Sequence, residues 1–142
     1  LSFQPLLENN TIFCTNLVKR ISSEEEYRSP NTIKVVMDHQ MNALYFSREP
    51  IPTIFGNNFS QVPAFKQVCI IAYPKNRLLE FGRLEPTQLE IVESIDMLRI
   101  LQHGSQVKMV ECTEETHSVD ILADVEIVEN MMQHESSFAR HE

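Results

Sequence analysis

The side chains that could do chemistry lie mainly where apolar runs of the sequence end. The apolar run 43–46 stops at Ser47 and Arg48, just before an acidic residue and two prolines. A hydroxyl, a guanidinium group and a carboxylate at a strand end can bind a polar ligand, and Arg pairs bidentately with carboxylate or phosphate. The same residues would also suit an ordinary strand end followed by a turn. Both interpretations stay open at this point.

Two further acidic residues are candidates for a role in a site. Asp120 lies between a predicted strand and a predicted helix, where Asp is a preferred N-cap. A carboxylate there could instead bind Mg²⁺, which needs only one or two carboxylates plus substrate phosphates. Glu93 lies in a long predicted helix next to Val92 of its apolar stripe, so a solvated helix face is its simpler interpretation.

Several common catalytic and phosphate-binding patterns are absent from the sequence. No two histidines have metal-ligand spacing on one helix, and no CxxC, GxSxG, P-loop or GxGxxG occurs. With only three glycines in the chain, a Gly-rich phosphate cradle is excluded. Any phosphate that this sequence binds must be held in another way.

Length, charge and cysteine content restrict the class of protein. The 142 residues can bury a core, so we expect a single domain spanning 1–142. A net charge of −8 opposes contact with nucleic acid or an anionic membrane, and we expect neither as a partner. No membrane span or secretion signal is recognisable. Three cysteines in separate apolar stretches predict buried free thiols in a reducing compartment, which points to the cytoplasm.

Strand and helix patterns alternate along the chain. Three runs rich in β-branched residues predict strands, at 11–21, 67–73 and 106–112. Two shorter runs, 32–38 and 42–47, predict a β-hairpin. Three helical patterns are present, at 75–82, 85–104 and 119–134, and a helical turn begins at Ser22 or Ser23.

This order predicts an α/β fold with helices crossing over a mostly parallel sheet. The continuous apolar run 67–73 is expected at the buried centre of the sheet. The stretch 48–64 predicts a long irregular arm, which favours a site or an interface, and 134–142 a frayed tail. The helix 85–104 is expected to bury an apolar stripe made of Leu89, Val92, Ile95, Leu98 and Leu101, with Ile91 alongside.

Four segments, in order, resemble a known family. They are NTIKVVMDHQMNALYFSREPIP, KQVCIIAYPKNRLLEF, LEPTQLEIVESIDMLRILQHGSQVKMV and THSVDILADVEIVENMM. The sequence is similar here, over about residues 15–133, to the C-terminal half of the 3-deoxy-manno-octulosonate cytidylyltransferases (CMP-KDO synthetases). The N-acylneuraminate cytidylyltransferases share the architecture but fit these segments less closely.

The resemblance implies a nucleotide-diphospho-sugar transferase-like, Rossmann-like α/β fold, with a mixed sheet, flanking helices and a protruding β-hairpin. It also implies a nucleotidyltransferase in which a hydroxyl of the acidic sugar KDO attacks the α-phosphate of CTP and releases pyrophosphate, with Mg²⁺ as cofactor. By position, the substrate-binding residues would be Ser47, Arg48, Gln67 and Glu93. Asp120 corresponds to a metal-ligating Asp, and no further catalytic residue is implied.

The sequence departs from the family pattern at three places. The family's VDTPEDL reads VDILADV here. Gln67 stands where the family has a sugar-contacting His, and Ile71 stands where the family has an aromatic residue. We also expect the chain to lack the family's N-terminal nucleotide-binding half. Two hypotheses therefore remain: an enzyme that activates KDO or a related acidic sugar such as an N-acylneuraminate, and a noncatalytic dimerisation module. In both, we expect a homodimer through the hairpin and the arm.

Overall fold

In this computed structural model the described residues are 4–9, 11–56, 58–113 and Val125, and they form a mixed sheet with short helices. The strands in these ranges are β1 (Ile12–Arg20), β2 (Lys34–Met37), β3 (Ala43–Ser47), β4 (Phe65–Ala72) and β5 (Gln106–Glu111). The helices are α1 (Gln4–Glu8), α2 (Glu24–Arg28), α3 (Lys75–Phe81), α4 (Gln88–Glu93) and α5 (Met97–Gln102), with a 3₁₀ helix at Phe59–Gln61. All the predicted strands are confirmed. Asp120, the tail 134–142 and, except for Val125, the predicted helix 119–134 lie outside the described residues.

The strand order in the sheet is β3-β2-β4-β1-β5. Only β1 and β5 pair in parallel, whereas β1–β4, β2–β4 and β2–β3 are antiparallel. The mixed sheet is thus confirmed, but the expectation that it is mostly parallel was wrong. A hairpin makes its two strands antiparallel, which accounts for the β2–β3 pair.

A bulge explains why one residue of the hairpin faces solvent. Val36 pairs with Tyr45, but the next residue, Met37, pairs with Ala43. Leu44 therefore has no counterpart on β2, and it is 61% exposed. Bulges re-aim a side chain in this way because the extra residue leaves the ladder.

β4 is the central strand of the sheet, as expected for the run 67–73, but a second bulge shows that the expected burial was wrong. Consecutive β1 residues Asn16 and Leu17 pair with Ile71 and Val68, so β4 residues 69 and 70 have no counterpart on β1. Both are exposed. The run is a strand, as predicted, but this irregularity turns its middle toward solvent.

Two groups of buried apolar side chains stabilise the fold. The larger one packs α5 against the sheet and contains Phe13, Cys14, Val18, Val35, Ala43, Phe46, Ile95, Met97, Leu98, Ile100, Val107 and Met109. The smaller one lies under the arm 48–64 and contains Ile21, Tyr27, Val62 and Ala64, with Ile54 and Phe59 against it. The arm is irregular apart from its 3₁₀ helix, as predicted, and Tyr27 Oη donates a hydrogen bond to the Pro52 carbonyl.

The predicted helix 85–104 is two helices, so the prediction of one long helix was wrong. Ser94 adopts a left-handed conformation with φ 53°, and the Ile95 N–H bonds the Glu90 carbonyl at 3.2 Å. This is the hydrogen-bond pattern of a Schellman-type helix end, in which the following apolar residue packs into the core. Because α5 starts in a new direction, Ile95 is buried but Val92 is 74% exposed, and Ile91 also faces solvent.

The three cysteines were predicted to be buried thiols outside any disulfide. None of the three cysteines forms a disulfide, as predicted, but only Cys14 is buried; Cys112 is half-buried and Cys69, in the β4 bulge, is exposed. The prediction of a buried thiol was therefore wrong for Cys69.

None of the helices in the described ranges has the length and apolar composition needed to cross a bilayer.

Candidate functional site

The carboxyl ends of β3 and α4 meet, and the side chains there form one hydrogen-bonded group. Glu93 Oε1 accepts from Ser47 Oγ at 2.9 Å and from Tyr45 Oη at 3.2 Å. Glu93 Oε2 accepts from the backbone N–H of Arg48 at 2.9 Å. We call Tyr45, Ser47, Arg48 and Glu93 the β3–α4 cluster. Three residues that the sequence singled out, Ser47, Arg48 and Glu93, are thus brought together.

The Arg48 side chain joins three parts of the chain. Its Nε donates to the Glu93 carbonyl at 2.8 Å and its Nη2 to the Ser94 carbonyl at 3.3 Å. Its Nη1 donates to the Pro30 carbonyl at 2.9 Å. Carbonyls at a helix end lack partners within the helix and carry partial negative charge, so a guanidinium group stabilises them. The break after Glu93 exposes these carbonyls to Arg48.

The cluster leaves some groups available for a ligand and occupies others. Ser47 is buried, and its hydroxyl donates to Glu93 while accepting from the Glu49 N–H at 3.0 Å. It therefore holds the strand end in place. Arg48 is half-buried and uses three of the five N–H donors of a guanidinium group. Within the described residues two donors remain with which it can bind an oxyanion, and Glu93 is half-buried beside it.

The hydrogen bonds in the cluster set the ionisation of its carboxyl group. Burial raises the pKa of Glu93, but donors from Arg48, Ser47 and Tyr45 outweigh it, so the pKa lies below its ordinary value. Burial and the neighbouring Glu93 charge raise the pKa of Tyr45. At neutral pH the cluster thus combines an ionised carboxylate, a neutral phenol and a guanidinium cation.

Gln67 is held by a different set of contacts. Its Nε2 donates to Asn16 Oδ1 at 2.6 Å, and within the described ranges its side chain has no hydrogen bond to the β3–α4 cluster. Asn16 is buried, and its Nδ2 lies 2.6 Å from the Val68 carbonyl and 3.2 Å from the carbonyls of Ile70 and Leu17. Asn16 therefore supplies hydrogen bonds where the β4 bulge interrupts the ladder.

The role of Asn16 was missed in the sequence, although a signal exists. An amide residue in the middle of the apolar run 11–21 must find partners when that run is buried. Three carbonyl acceptors require the NH₂ end of the Asn16 amide to face β4, which turns its oxygen toward Gln67. The NH₂ end of Gln67 consequently faces Asn16, and its own carbonyl oxygen points away from it.

The described residues do not themselves form a metal site. No group of three His, Cys, Asp or Glu among them could hold an ion. Glu93 is the one carboxylate of the β3–α4 cluster, and three donors and the Arg48 cation already surround it. Asp120, the predicted Mg²⁺ ligand, lies outside the described residues.

Comparison with known proteins gives consistent matches. The family model described as "Cytidylyltransferase" matches residues 2–119. A 3-deoxy-manno-octulosonate cytidylyltransferase of Geotalea uraniireducens (strain Rf4) is 34% identical over 137 residues, which are 89% of this chain and 54% of the relative. An 8-amino-3,8-dideoxy-manno-octulosonate cytidylyltransferase of Shewanella piezotolerans is 36% identical over 110 residues, 78% of this chain and 44% of the relative.

A solved structure agrees with these relatives. CMP:2-keto-3-deoxy-manno-octonic acid synthetase complexed with CTP matches with a TM-score of 0.83 and 30% identity. The match covers 94% of this chain and 54% of the solved one, so the predicted fold of this kind is confirmed. The chain spans about half the length of the curated relatives it matches.

Proposed function

Because the chain belongs to the cytidylyltransferase family, we propose that it acts in the CTP-dependent activation of KDO, an acidic sugar, to its CMP derivative with release of pyrophosphate. The observation that carries the proposal is the β3–α4 cluster. There an Arg with two uncommitted N–H donors lies beside an ionised Glu at a strand end.

The residues of the cluster have separate roles in this reaction. The free N–H groups of Arg48 bind the carboxylate of the sugar acid, and Glu93 accepts from a sugar hydroxyl. Ser47 and Tyr45 keep Glu93 in position. The sugar is thereby oriented so that a hydroxyl oxygen loses its proton to water and forms a bond to the α-phosphorus of CTP, the bond from that phosphorus to the bridging oxygen breaks, and pyrophosphate leaves.

Mg²⁺ is proposed as the cofactor, with Asp120 as its ligand. When bound, the ion would neutralise charge on the triphosphate. Asp120→Asn keeps the helix-capping ability of Asp but removes the charge, whereas Asp120→Ala removes both. We expect both variants to lose turnover by orders of magnitude, and the Ala variant also to lose about 0.5–2 kcal/mol of stability. Normal turnover in the Asn variant would contradict the metal role.

The proposed function is tested by pyrophosphate release from CTP in the presence of KDO and Mg²⁺. Arg48→Lys removes the guanidinium donors while keeping the charge, so we expect at least about a tenfold loss of KDO-dependent release. Arg28→Lys is the control, because Arg28 is exposed on α2 and pairs with Glu24. Equal rates in both variants would contradict the role of Arg48. An 8-amino analogue of KDO belongs in the same assay, given the Shewanella relative.

A second candidate function is supported by Gln67. Gln67 stands where the family has a sugar-contacting His, and its side-chain amide donates a hydrogen bond to Asn16. This favours a noncatalytic module that keeps the family fold without turnover. A dimer that binds no KDO and releases no pyrophosphate would support that alternative.

A homodimer is also proposed, with the hairpin and the arm at its interface. Leu44 in the β3 bulge and Ile91 and Val92 on α4 expose large apolar side chains, and covering such groups favours association. Leu44→Asp should shift the mass in sedimentation velocity toward the monomer, with Glu111→Asp on β5 as a control. A monomeric mass for the wild type at tens of micromolar would contradict the dimer. A cytoplasmic location is also proposed, because none of the three cysteines forms a disulfide.

A further inference from the structure

Lys34, the first residue of β2, is a fully buried cation whose hydrogen bonds within the described residues all go to backbone oxygens. Its Nζ donates to the carbonyls of Ser29 at 2.8 Å and Thr32 at 2.6 Å, and to the carbonyl of Arg48. These three bonds use all three N–H donors of the ammonium group. Within the described ranges Lys34 has no ion pair with a carboxylate.

Stability alone does not account for a lysine at this position. Burial lowers the pKa of Lys34, while the nearby Glu49 carboxylate raises it, and the net shift is downward. Burying charge is therefore unfavourable here, and apolar residues of similar volume often replace buried charges at no loss of stability. An apolar side chain could not, however, bind three carbonyls at once.

Lys34 and Glu93 together hold the backbone of Arg48 from both sides. Glu93 binds the Arg48 N–H, and Lys34 binds the Arg48 carbonyl. With both groups held, the backbone dihedral angles of Arg48 are set, and with them the direction in which its side chain leaves the strand. Lys34 also holds the loop 29–32 by its first and last carbonyls, and the Pro30 carbonyl between them receives Arg48 Nη1.

We propose that Lys34 is the positioning residue of the β3–α4 cluster, holding the Arg48 carbonyl and the loop 29–32 so that the two remaining guanidinium N–H groups face the ligand. The nature of that ligand, a sugar acid, rests on the proposed function. The positioning of Arg48 by Lys34 does not rest on the proposed function. It is a property of the chain without any ligand bound.

The first test compares amide hydrogen exchange in Lys34→Met with the wild type. We expect exchange at the Arg48 amide to rise at least about tenfold, because the peptide that presents it loses its anchor, while the Val35 amide in the same sheet keeps its protection. Lys66→Met is the matched control. Lys66 lies directly opposite Lys34 on β4 but pairs with Glu26, so its removal should leave Arg48 unchanged.

The exchange rates and the KDO affinity together decide the proposal. Unchanged Arg48 exchange in Lys34→Met, or an equal rise at Arg48 and Val35, would overturn it, since the second pattern reports only global destabilisation. KDO affinity should fall in Lys34→Met and stay unchanged in Lys66→Met. If the wild type bound no KDO while Arg48 protection fell selectively, the proposed function would fail and the role of Lys34 would be supported.

A measurement on the wild type covers the case in which Lys34→Met does not fold. An ammonium group held by three carbonyls exchanges its protons slowly, so one lysine NH₃⁺ signal should be visible by ¹⁵N NMR near neutral pH. A hydrogen-bond coupling from that nitrogen to the Arg48 carbonyl carbon would support the assignment. The absence of any slowly exchanging lysine signal would overturn it.

Discussion

The donors and acceptors at the β3 end and in the middle of β4 are satisfied in different ways. At the β3 end, side chains from the strand and from α4 bind one another, and Glu93 and Arg48 each make at least three hydrogen bonds. In β4, residues 69 and 70 leave the ladder, and a side chain from the neighbouring strand, Asn16, supplies the missing bonds. Charged groups are concentrated in the first region, whereas the bulge residues Cys69 and Ile70 of the second carry no charge.

This difference supports the proposal that the β3 end is preorganised for a ligand. A site has to hold its binding groups in place before the ligand arrives, and the β3–α4 cluster does so through Glu93, Arg48 and Lys34. The β4 bulge is attached at one edge by Asn16, and its outward side chains carry no charge. The comparison therefore supports the proposal that the β3 end binds the ligand and that Asn16 has a structural role.

The largest expected effect on stability is at Asn16. Asn16→Asp would leave the Val68 and Ile70 carbonyls without donors and place a charge against them, so we expect a loss of more than about 3 kcal/mol in urea unfolding. Gln67→Met removes only the bond between the two amides and should cost about 1 kcal/mol. Equal losses in the two variants would show that Asn16 is not what holds the bulge.

The next effect is at Glu93 and depends on pH. Its pKa is lowered in the folded state, so its stabilising contribution is complete above the ordinary value of 4.5 and is lost as pH falls through the folded pKa. Glu93→Gln should therefore reduce the free energy of unfolding by about 1–2 kcal/mol near neutral pH. The difference in the free energy of unfolding between the wild type and Glu93→Gln should become smaller in acid. A difference that is independent of pH would rule out the charge of Glu93 as its cause.

A smaller effect is expected at Tyr45. Tyr45→Phe removes the longest of the three hydrogen bonds to the Glu93 carboxylate, which is 3.2 Å, and should cost about 0.5–1 kcal/mol. The pKa of Glu93, followed by ¹³C NMR of its carboxyl carbon, should rise because one donor to the ionised form is lost. An unchanged pKa would remove Tyr45 from the cluster.

The smallest effect is expected in the β4 bulge. Ile70 is 50% exposed, so Ile70→Val should change the free energy of unfolding by less than about 0.5 kcal/mol. The same substitution at the buried Ile100 of α5 should cost about 0.5–1.5 kcal/mol. A larger loss at Ile70 than at Ile100 would mean that the bulge residue is covered, for example by a second copy of the chain.

The sequence predicted what depends on local chemistry. The strands and the hairpin follow from apolar runs and their boundaries, and Ser23 does cap α2 by accepting from the Glu26 N–H at 3.1 Å. The polar cluster at the β3 end was also recognisable, because Ser47 and Arg48 stand where an apolar run stops. Its partner Glu93 was suggested by the family resemblance, since on its own it would look like a solvated helix residue.

What the sequence could not predict depends on contacts between distant segments. The bulges at Leu44 and at residues 69–70 arise from strand register, which no run of residues in one strand determines. The helix break at Ser94 has no glycine or proline to mark it. It becomes favourable once Arg48, far away in sequence, binds the freed carbonyls. Lys34 was overlooked for the same reason, because its acceptors lie in two segments, the loop 29–32 and the end of β3.

The most direct test of the account is an NMR titration of the arginine side chains with KDO. If the β3–α4 cluster binds the sugar acid, the Nε–H signal of Arg48 should shift in a saturable way, whereas that of Arg28, exposed and paired with Glu24 on α2, should not. Loss of the shift in Glu93→Gln would tie binding to the cluster. Equal shifts at both arginines, or none at Arg48 at saturating KDO, would contradict the assignment of sugar binding to the β3 end.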